Sequence, residues 1–327
     1  IMKLRTLLIS AAAALPLISY GTKQEPYNHS RICWDISTKQ QIFDMGNYGR
    51  IITLQDGRLL AVAETYGTYS GITVTFSHDN GKSWGQKQVV AGNQPGLNSC
   101  VPDVIQLTDG TIIVGYNPRV TKDATPDQKY GIRCVRSTDN GETWSDPIFI
   151  YDAEHESTTG CWEPSFLEMP DGEIHCYYSD EAPYTGNNSD QNISVCRSYD
   201  KGHTWTEPEI VSYRQGCRDG MPSAVITDNN EIVVVVEDFG HPGRSGFRAT
   251  TVRCKLTDNW KNCTVFGDSE NRDMIFDDDS EGQDYVSCAP YMRKLPTGEI
   301  IYSWMGDWYD RKNCPMERYD VYIGLAD

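Results

Sequence analysis

Apolar residues along the chain fall into short runs, each introduced by a polar turn, and no run beyond the N-terminal segment keeps a helical 3.6-residue period. Five runs share one layout. "LQDGRLLAVAE" (Leu54 to Glu64), "LTDGTIIVGYN" (Leu107 to Asn117), "MPDGEIHCYYS" (Met169 to Ser179), "TDNNEIVVVVE" (Thr227 to Glu237) and "LPTGEIIYSWM" (Leu295 to Met305) each put a turn ahead of β-branched and aromatic residues. A turn of this kind between two strand-like runs predicts a β-hairpin. In the second unit the strands are expected at "CVPDVIQL" (A), "TIIVGYN" (B), "YGIRCVRS" (C) and "DPIFIYD" (D).

A second phrase has the same period. "SHDNGKSW" (Ser77 to Trp84) returns as "STDNGETW" (Ser137 to Trp144) and "SYDKGHTW" (Ser198 to Trp205), each between a C and a D strand, with a degenerate "LTDNW" from Leu256 to Trp260. Four antiparallel strands repeated around a ring make a β-propeller. Strand direction alternates, so the starts of A and the ends of B meet on one rim, and the repeated phrase lies on the other. Its Ser and Asp side chains can bond turn amides, its Gly supplies a positive φ, and its Trp packs between strands. The phrase is therefore expected to be scaffold.

The segment "MKLRTLLISAAAALPLISYG" places Lys3 and Arg5 before an apolar run and small residues after it, the layout of a cleavable signal peptide over residues 2–21. Residues 22–327 then form a single propeller domain, secreted or periplasmic. No other run is long enough to span a membrane. A net charge of −17 repels nucleic acid and anionic lipid, and leaves a neutral sugar unaffected. The eleven cysteines are read mainly as small buried side chains with one or two bridges, the odd count leaving at least one unpaired. No CxxC pair or HExxH spacing suggests a metal, and no cofactor is expected.

The spaced SxDxGxxW phrases resemble the Asp-boxes of the sialidase superfamily, over most of the chain. Within it, "CWEPSFLEMPDGEIHCYYSDE" (Cys161 to Glu181) resembles glycoside hydrolase family 93, the exo-α-1,5-L-arabinanases. That resemblance implies an all-β, six-bladed propeller of four-stranded antiparallel blades. Five units are visible and the fifth stops after strand C, so the last blade is expected to be incomplete in this sequence, with residues 22 to 46 able to lend a strand. The resemblance further implies a retaining, exo-acting glycoside hydrolase. Its glutamate pair falls on Glu163, as nucleophile, and Glu237, as acid/base.

Aligning the units on Asp56, Asp109, Asp171, Asn229 and Thr297 shows which side chains share the upper rim. Strand A opens with Tyr48 and Arg50, Val101 and Asp103, Glu163 and Ser165, Met221 and Ser223, Ala289 and Tyr291; strand B ends at Glu64, Asn117, Ser179, Glu237 and Met305. Glycosidic cleavage needs one protonated carboxyl and one carboxylate. Glu237 follows four valines, an apolar wall that favours the protonated form; alternatively it is a strand-end glutamate leaving for solvent. Expected substrate-binding residues are Arg50, Glu64, Asp103, Asn117, Arg119, Trp162, Tyr178, Asp180, Glu181, Arg244 and Tyr285. Each has a plain alternative: ion pairing for the arginines, core packing for the aromatics, a solvated loop for Asp180 and Glu181. The expected partner is an oligo- or polysaccharide bound by a monomer. Two other functions stay open. "YGRIITL" resembles the arginine stretch of sialidases, and Arg50, Arg119, Arg218 and Arg244 could clamp a carboxylate as in an exo-sialidase. The rim could also bind carbohydrate without cleaving it.

Overall fold

The computed structural model describes residues 4–5, 35–184, 190–241, 243, 246–275, 286–306 and 320–326. Its strands fall into five sheets. Blade one is Gly46–Thr53, Leu59–Thr65, Gly71–Ser77 and Gln88–Gly92; blade two is Leu97–Gln106, Ile112–Val120, Gly131–Ser137 and Ile148–Asp152. Blade three is Cys161–Glu168, Ile174–Asp180, Asn192–Ser198 and Glu209–Tyr213, with Val265–Phe266 added in parallel at its edge. Blade four is Arg218–Ile226, Glu231–Phe239, Phe247–Lys255 and Arg272–Met274. Blade five is Ser287–Lys294, Ile300–Gly306 and Asp320–Ala326, with Leu4–Arg5 paired to its last strand. Among the described residues, no helix is long and apolar enough to cross a membrane.

The all-β propeller is as the repeat predicts, but the described residues form five blades of three to five strands where six of four were expected. The sequence carries five copies of the A–B hairpin, and each nucleates one sheet; the sixth came from the family resemblance and has no copy here. The core is correspondingly a set of apolar layers between blades. Leu60, Val62 and Val114 fill the first layer, Ile113, Phe166 and Cys176 the second, Tyr177, Val195 and Val234 the third, Val233, Met292 and Trp304 the fourth. These side chains alternate along their strands, so each blade buries one face against each neighbour.

Two hydrogen-bond devices repeat between blades. On the lower rim each Asp-box is a local lattice: Ser137 Oγ accepts the Gly141 amide at 2.8 Å and Asp139 Oδ1 accepts the Thr143 amide at 2.9 Å. An arginine of the preceding blade donates to a carbonyl in this turn, Arg58 to Asn140 at 3.0 Å, Arg136 to Lys201 at 2.6 Å and Arg197 to Asn259 at 2.9 Å. On the upper rim every strand A is bulged at the same place, and the bulged residues Tyr48, Val101, Glu163, Met221 and Ala289 have φ between 48° and 57°. A residue near the end of strand B reaches the bulge of the next blade. Glu64 accepts the Val101 amide at 3.1 Å, Ser179 the Met221 amide at 3.1 Å and Glu237 the Ala289 amide at 2.8 Å, while Asn117 donates to the Cys161 carbonyl at 3.0 Å.

The expected disulfides are not formed among the described residues: Cys100, Cys134, Cys161, Cys176, Cys196, Cys217, Cys254 and Cys263 carry free thiols.

Candidate active site

The bulge turns Glu163 inward at the start of strand A in blade three, with its carboxyl partly exposed. Arg119 stands 3.4 Å from one carboxylate oxygen, and Ser179 donates to the other at 3.4 Å. Arg119 is itself fixed. Its Nε donates to Asn117 Oδ1 at 2.8 Å and its guanidinium lies 5.0 Å from the centre of the Trp162 ring, which leans on Tyr130 at 4.9 Å. Burial raises the Glu163 pKa, while Arg119 and the Ser179 hydroxyl oppose the rise.

Glu237 lies near the end of strand B of blade four, behind Val233 to Val236, all buried. Burial pushes its pKa up to about 7, the Ala289 amide works against this, and the charge of Glu163 adds to it. Oε2 is held by that amide, and Oε1 faces Gly220. A Cβ at Gly220 would stand 3.2 Å from Oε1, so glycine keeps room for this carboxyl. Arg218 pairs with Glu181, whose Oε1 also accepts from Gln191 at 3.1 Å. The Arg218 charge lowers the pKa of Glu163 and of Glu237 alike, so the three side chains lie near one another on the rim.

Tyr48 joins this group and was absent from the expected site residues. It occupies the bulge of blade one, with Arg50 4.8 Å from its ring centre. Its hydroxyl is buried without a hydrogen-bond partner, and its pKa is raised by burial and by the charges of Glu163 and Glu237. The available signal was positional: Tyr48 aligns with Glu163.

Other expected residues lie elsewhere. Asp103 is 1% exposed at the ring axis, where it accepts the Phe166 amide at 2.9 Å and the Tyr291 hydroxyl at 3.1 Å, with Arg50 at 3.9 Å and Arg293 at 3.6 Å. Asn117 is wholly buried and serves the blade contact and Arg119. Glu64 accepts from Tyr66 and the Val101 amide. Tyr178 is core, packed on Tyr151 at 4.9 Å with its hydroxyl against Cys196. Asp180 is buried beneath the rim, where burial raises its pKa to about 6, opposed by bonds from the Ala182 amide and Tyr151. Arg244 and Tyr285 lie outside the described residues. Among the described residues, no group of three His, Cys, Asp or Glu side chains is placed to hold a metal ion.

Residues 126–273, from before the third strand of blade two to the outer strand of blade four, match the BNR repeat-like domain. No curated protein matches the chain by sequence. Among solved structures, it is similar to a Penicillium chrysogenum α-L-arabinanase complexed with arabinobiose, at 21% identity and a TM-score of 0.61, over 88% of this chain and 94% of that one. It is similar also to the family 93 α-L-arabinofuranosidase of Fusarium graminearum complexed with arabinobiose (17%, TM-score 0.63, 87% and 96%). A Hadza microbial sialidase matches at 13% and a TM-score of 0.55, over 80% of this chain and 53% of that one. Repeat and fold together make this chain a β-propeller that carries BNR-like repeats over residues 126–273. Within that class its fold is close to the family 93 glycoside hydrolases.

Proposed function

We propose that the protein is a retaining, exo-acting glycoside hydrolase that cleaves α-1,5-linked arabinan, with Glu163 as nucleophile and Glu237 as acid/base. One observation carries the reading: two carboxyls stand on neighbouring blades, the charge of Glu163 acts on Glu237, and their surroundings differ. Glu237 has no cation as close as Arg119 is to Glu163 and holds its proton up to about pH 7, as a general acid requires. Glu163 has a guanidinium and a hydroxyl that favour its charged form.

In the first step Glu163 attacks the anomeric carbon as the bond to the leaving oxygen breaks, and Glu237 gives its proton to that oxygen. In the second, Glu237 takes a proton from water, whose oxygen displaces Glu163 from the sugar. A neutral sugar suits the arginines. Arg119 is matched by Glu163, Arg218 by Glu181, and Arg50 and Arg293 by Asp103, so each of these is already paired with a carboxylate. The same reading has the mature chain acting outside the cytoplasm as a monomer.

The test is turnover of linear α-1,5-arabinan, sialyl-lactose and an aryl α-L-arabinoside, with the product anomer recorded. Glu163→Gln and Glu237→Gln should each lower kcat on arabinan by roughly 10²–10⁴-fold. The side-chain amide introduced by Glu237→Gln would keep an oxygen for the Ala289 N–H, so the thermal midpoint should hold. Glu237→Ala should regain turnover of the aryl substrate when azide is added, whereas Glu163→Ala should not regain a retaining reaction. Cleavage of sialyl-lactose alone would replace the assignment by a sialidase. Sugar binding without turnover of any substrate would make the rim a lectin.

A further inference from the structure

The fourth blade lacks an Asp-box, and a pair of cysteines stands where its lattice would be. In the first three blades the residue that ends strand C is a serine paired with the start of strand B: Leu59 opposite Ser77, Ile112 opposite Ser137, Ile174 opposite Ser198. In blade four the corresponding partner of Ile232 is Cys254. The serines each accept an amide four residues on, from Gly81, Gly141 and Gly202, all at 2.8 Å. Cys254 Sγ accepts the amide of Trp260 instead, at 3.2 Å, and the Trp260 carbonyl accepts the amide of Cys263 at 3.2 Å. Cys254 belongs to the apolar layer between blades three and four, Cys263 packs against that layer, and both are hydrogen-bonded to the backbone of Trp260.

We infer that Cys254 and Cys263 are a redox pair whose disulfide replaces the Asp-box as the lower-rim staple of blade four. A thiol is a weaker acceptor than a hydroxyl and Leu256 stands where the box aspartate would be, so the reduced loop lacks the side-chain lattice of its three counterparts and is held by backbone turn bonds. The loop nevertheless has more to hold. Asn259, Trp260 and Asn262 all have left-handed φ, between 48° and 59°. Asn259 supplies the carbonyl that Arg197 of blade three grips, and the chain goes straight on to Val265–Phe266, the strand added to blade three. A bond from Cys254 to Cys263 closes this loop at its base and secures both contacts.

The order of reaction follows from exposure. Cys254 is 4% exposed and burial pushes its thiol pKa up to about 12, so it is a poor first nucleophile. Cys263 is the more exposed. With a small-molecule disulfide as oxidant, the Cys263 thiolate attacks one sulfur and expels a thiolate, and a mixed disulfide forms. Cys254 then gives its proton to solvent and attacks the Cys263 sulfur, expelling the second thiolate. The pair loses two electrons and two protons, and the reagent gains them as two thiols.

The experiment uses the full chain, equilibrated with oxidised or reduced glutathione, alkylated with iodoacetamide and mapped by peptide mass spectrometry. The expected result is a Cys254–Cys263 linked peptide in the oxidised sample and a thermal midpoint a few degrees above that of the reduced one. Cys263→Ser should fold, because the Cys254 contact to Trp260 remains, and should lose the redox-dependent part of the shift. Cys254→Ser restores the serine of the other boxes and should lose it too. Equal alkylation of both cysteines in oxidised and reduced protein overturns the inference, as does a link from either one to another cysteine. Neither outcome bears on the glycosidase reading.

Discussion

Glu163 holds φ at 55°, a conformation that costs a non-glycine residue about 1–3 kcal/mol unless its surroundings impose it. Here they do, since Tyr48, Val101, Met221 and Ala289 take the same φ at the same bulge. The scaffold therefore aims the residue, and the residue type decides the chemistry. With its pKa raised to about 7, Glu237 is protonated below that pH and loses its proton as pH rises through it. The kcat/KM of arabinan hydrolysis should thus be kept at lower pH and fall with an alkaline limb near pH 7. Glu237→Gln should remove this limb from whatever activity remains; an unchanged profile would remove Glu237 from the acid role. Tyr48→Phe deletes a hydroxyl that has no hydrogen-bond partner among the described residues, so folding should not suffer. If that hydroxyl donates to Glu163 or to a bound sugar, kcat/KM should fall by roughly tenfold, the worth of one hydrogen bond to a charged group, with no loss of thermal stability. Sequence alignment alone placed Glu163 and Glu237 on one rim because both positions are defined by distance from a turn. It could not separate Asn117 and Tyr178 from substrate contacts: both lie on interior strands, and their burial depends on partners in the neighbouring blade, Cys161 for Asn117 and Tyr151 for Tyr178, which no local pattern contains.

The Asp-boxes show which elements can be read from sequence and which cannot. Every bond within a box spans four residues or fewer, so the phrase encodes its own geometry. The arginine contacts that bind one box to the previous blade leave no such phrase, since Arg136 meets Lys201 across 65 positions. The boxes also set an acid limit. Their bonds to Ser and Thr hydroxyls and backbone amides pull Asp79 and Asp139 down to about 2, against an ordinary 3.8. In Asp200 burial acts the other way, but the same bonds prevail and bring it to about 2. Groups whose folded pKa is depressed contribute stability above the unfolded value, and this is lost as pH falls through the folded one. Thermal midpoints should accordingly drop between about pH 4 and pH 2. Replacing all three aspartates with asparagine should lower the midpoint near neutral pH and flatten this acid decline. A decline equally steep in the triple variant would mean that other carboxylates govern it.

At the scale of the whole molecule, a ring needs something at its centre, and here it is a charge. Among the described residues, the four apolar layers join blades only in sequence, first to second through fourth to fifth. Ile51 on the first blade and Val321 on the fifth remain 51% and 60% exposed. What draws the first and fifth blades together is Arg50, 4.2 Å from the centre of the Tyr291 ring, with Asp103 of blade two beneath them. Asp103 thus ties its own blade to three others, to the first through Arg50 and to the third and fifth through Phe166 and Tyr291, 63 and 188 positions away in sequence. Asp103→Ala would leave a buried amide without its acceptor and two arginines without their counterion, a loss of about 1–3 kcal/mol for the unmet donors alone. Asp103→Asn keeps one acceptor and should cost less. A substrate-binding role makes the opposite prediction, a raised KM at an unchanged thermal midpoint. If Asp103→Ala melts like the wild-type protein, the axial knot is not what holds the open ends of this ring. If instead the midpoint falls and Asp103→Asn recovers part of it, the ring is closed by electrostatics where hydrophobic layers are missing.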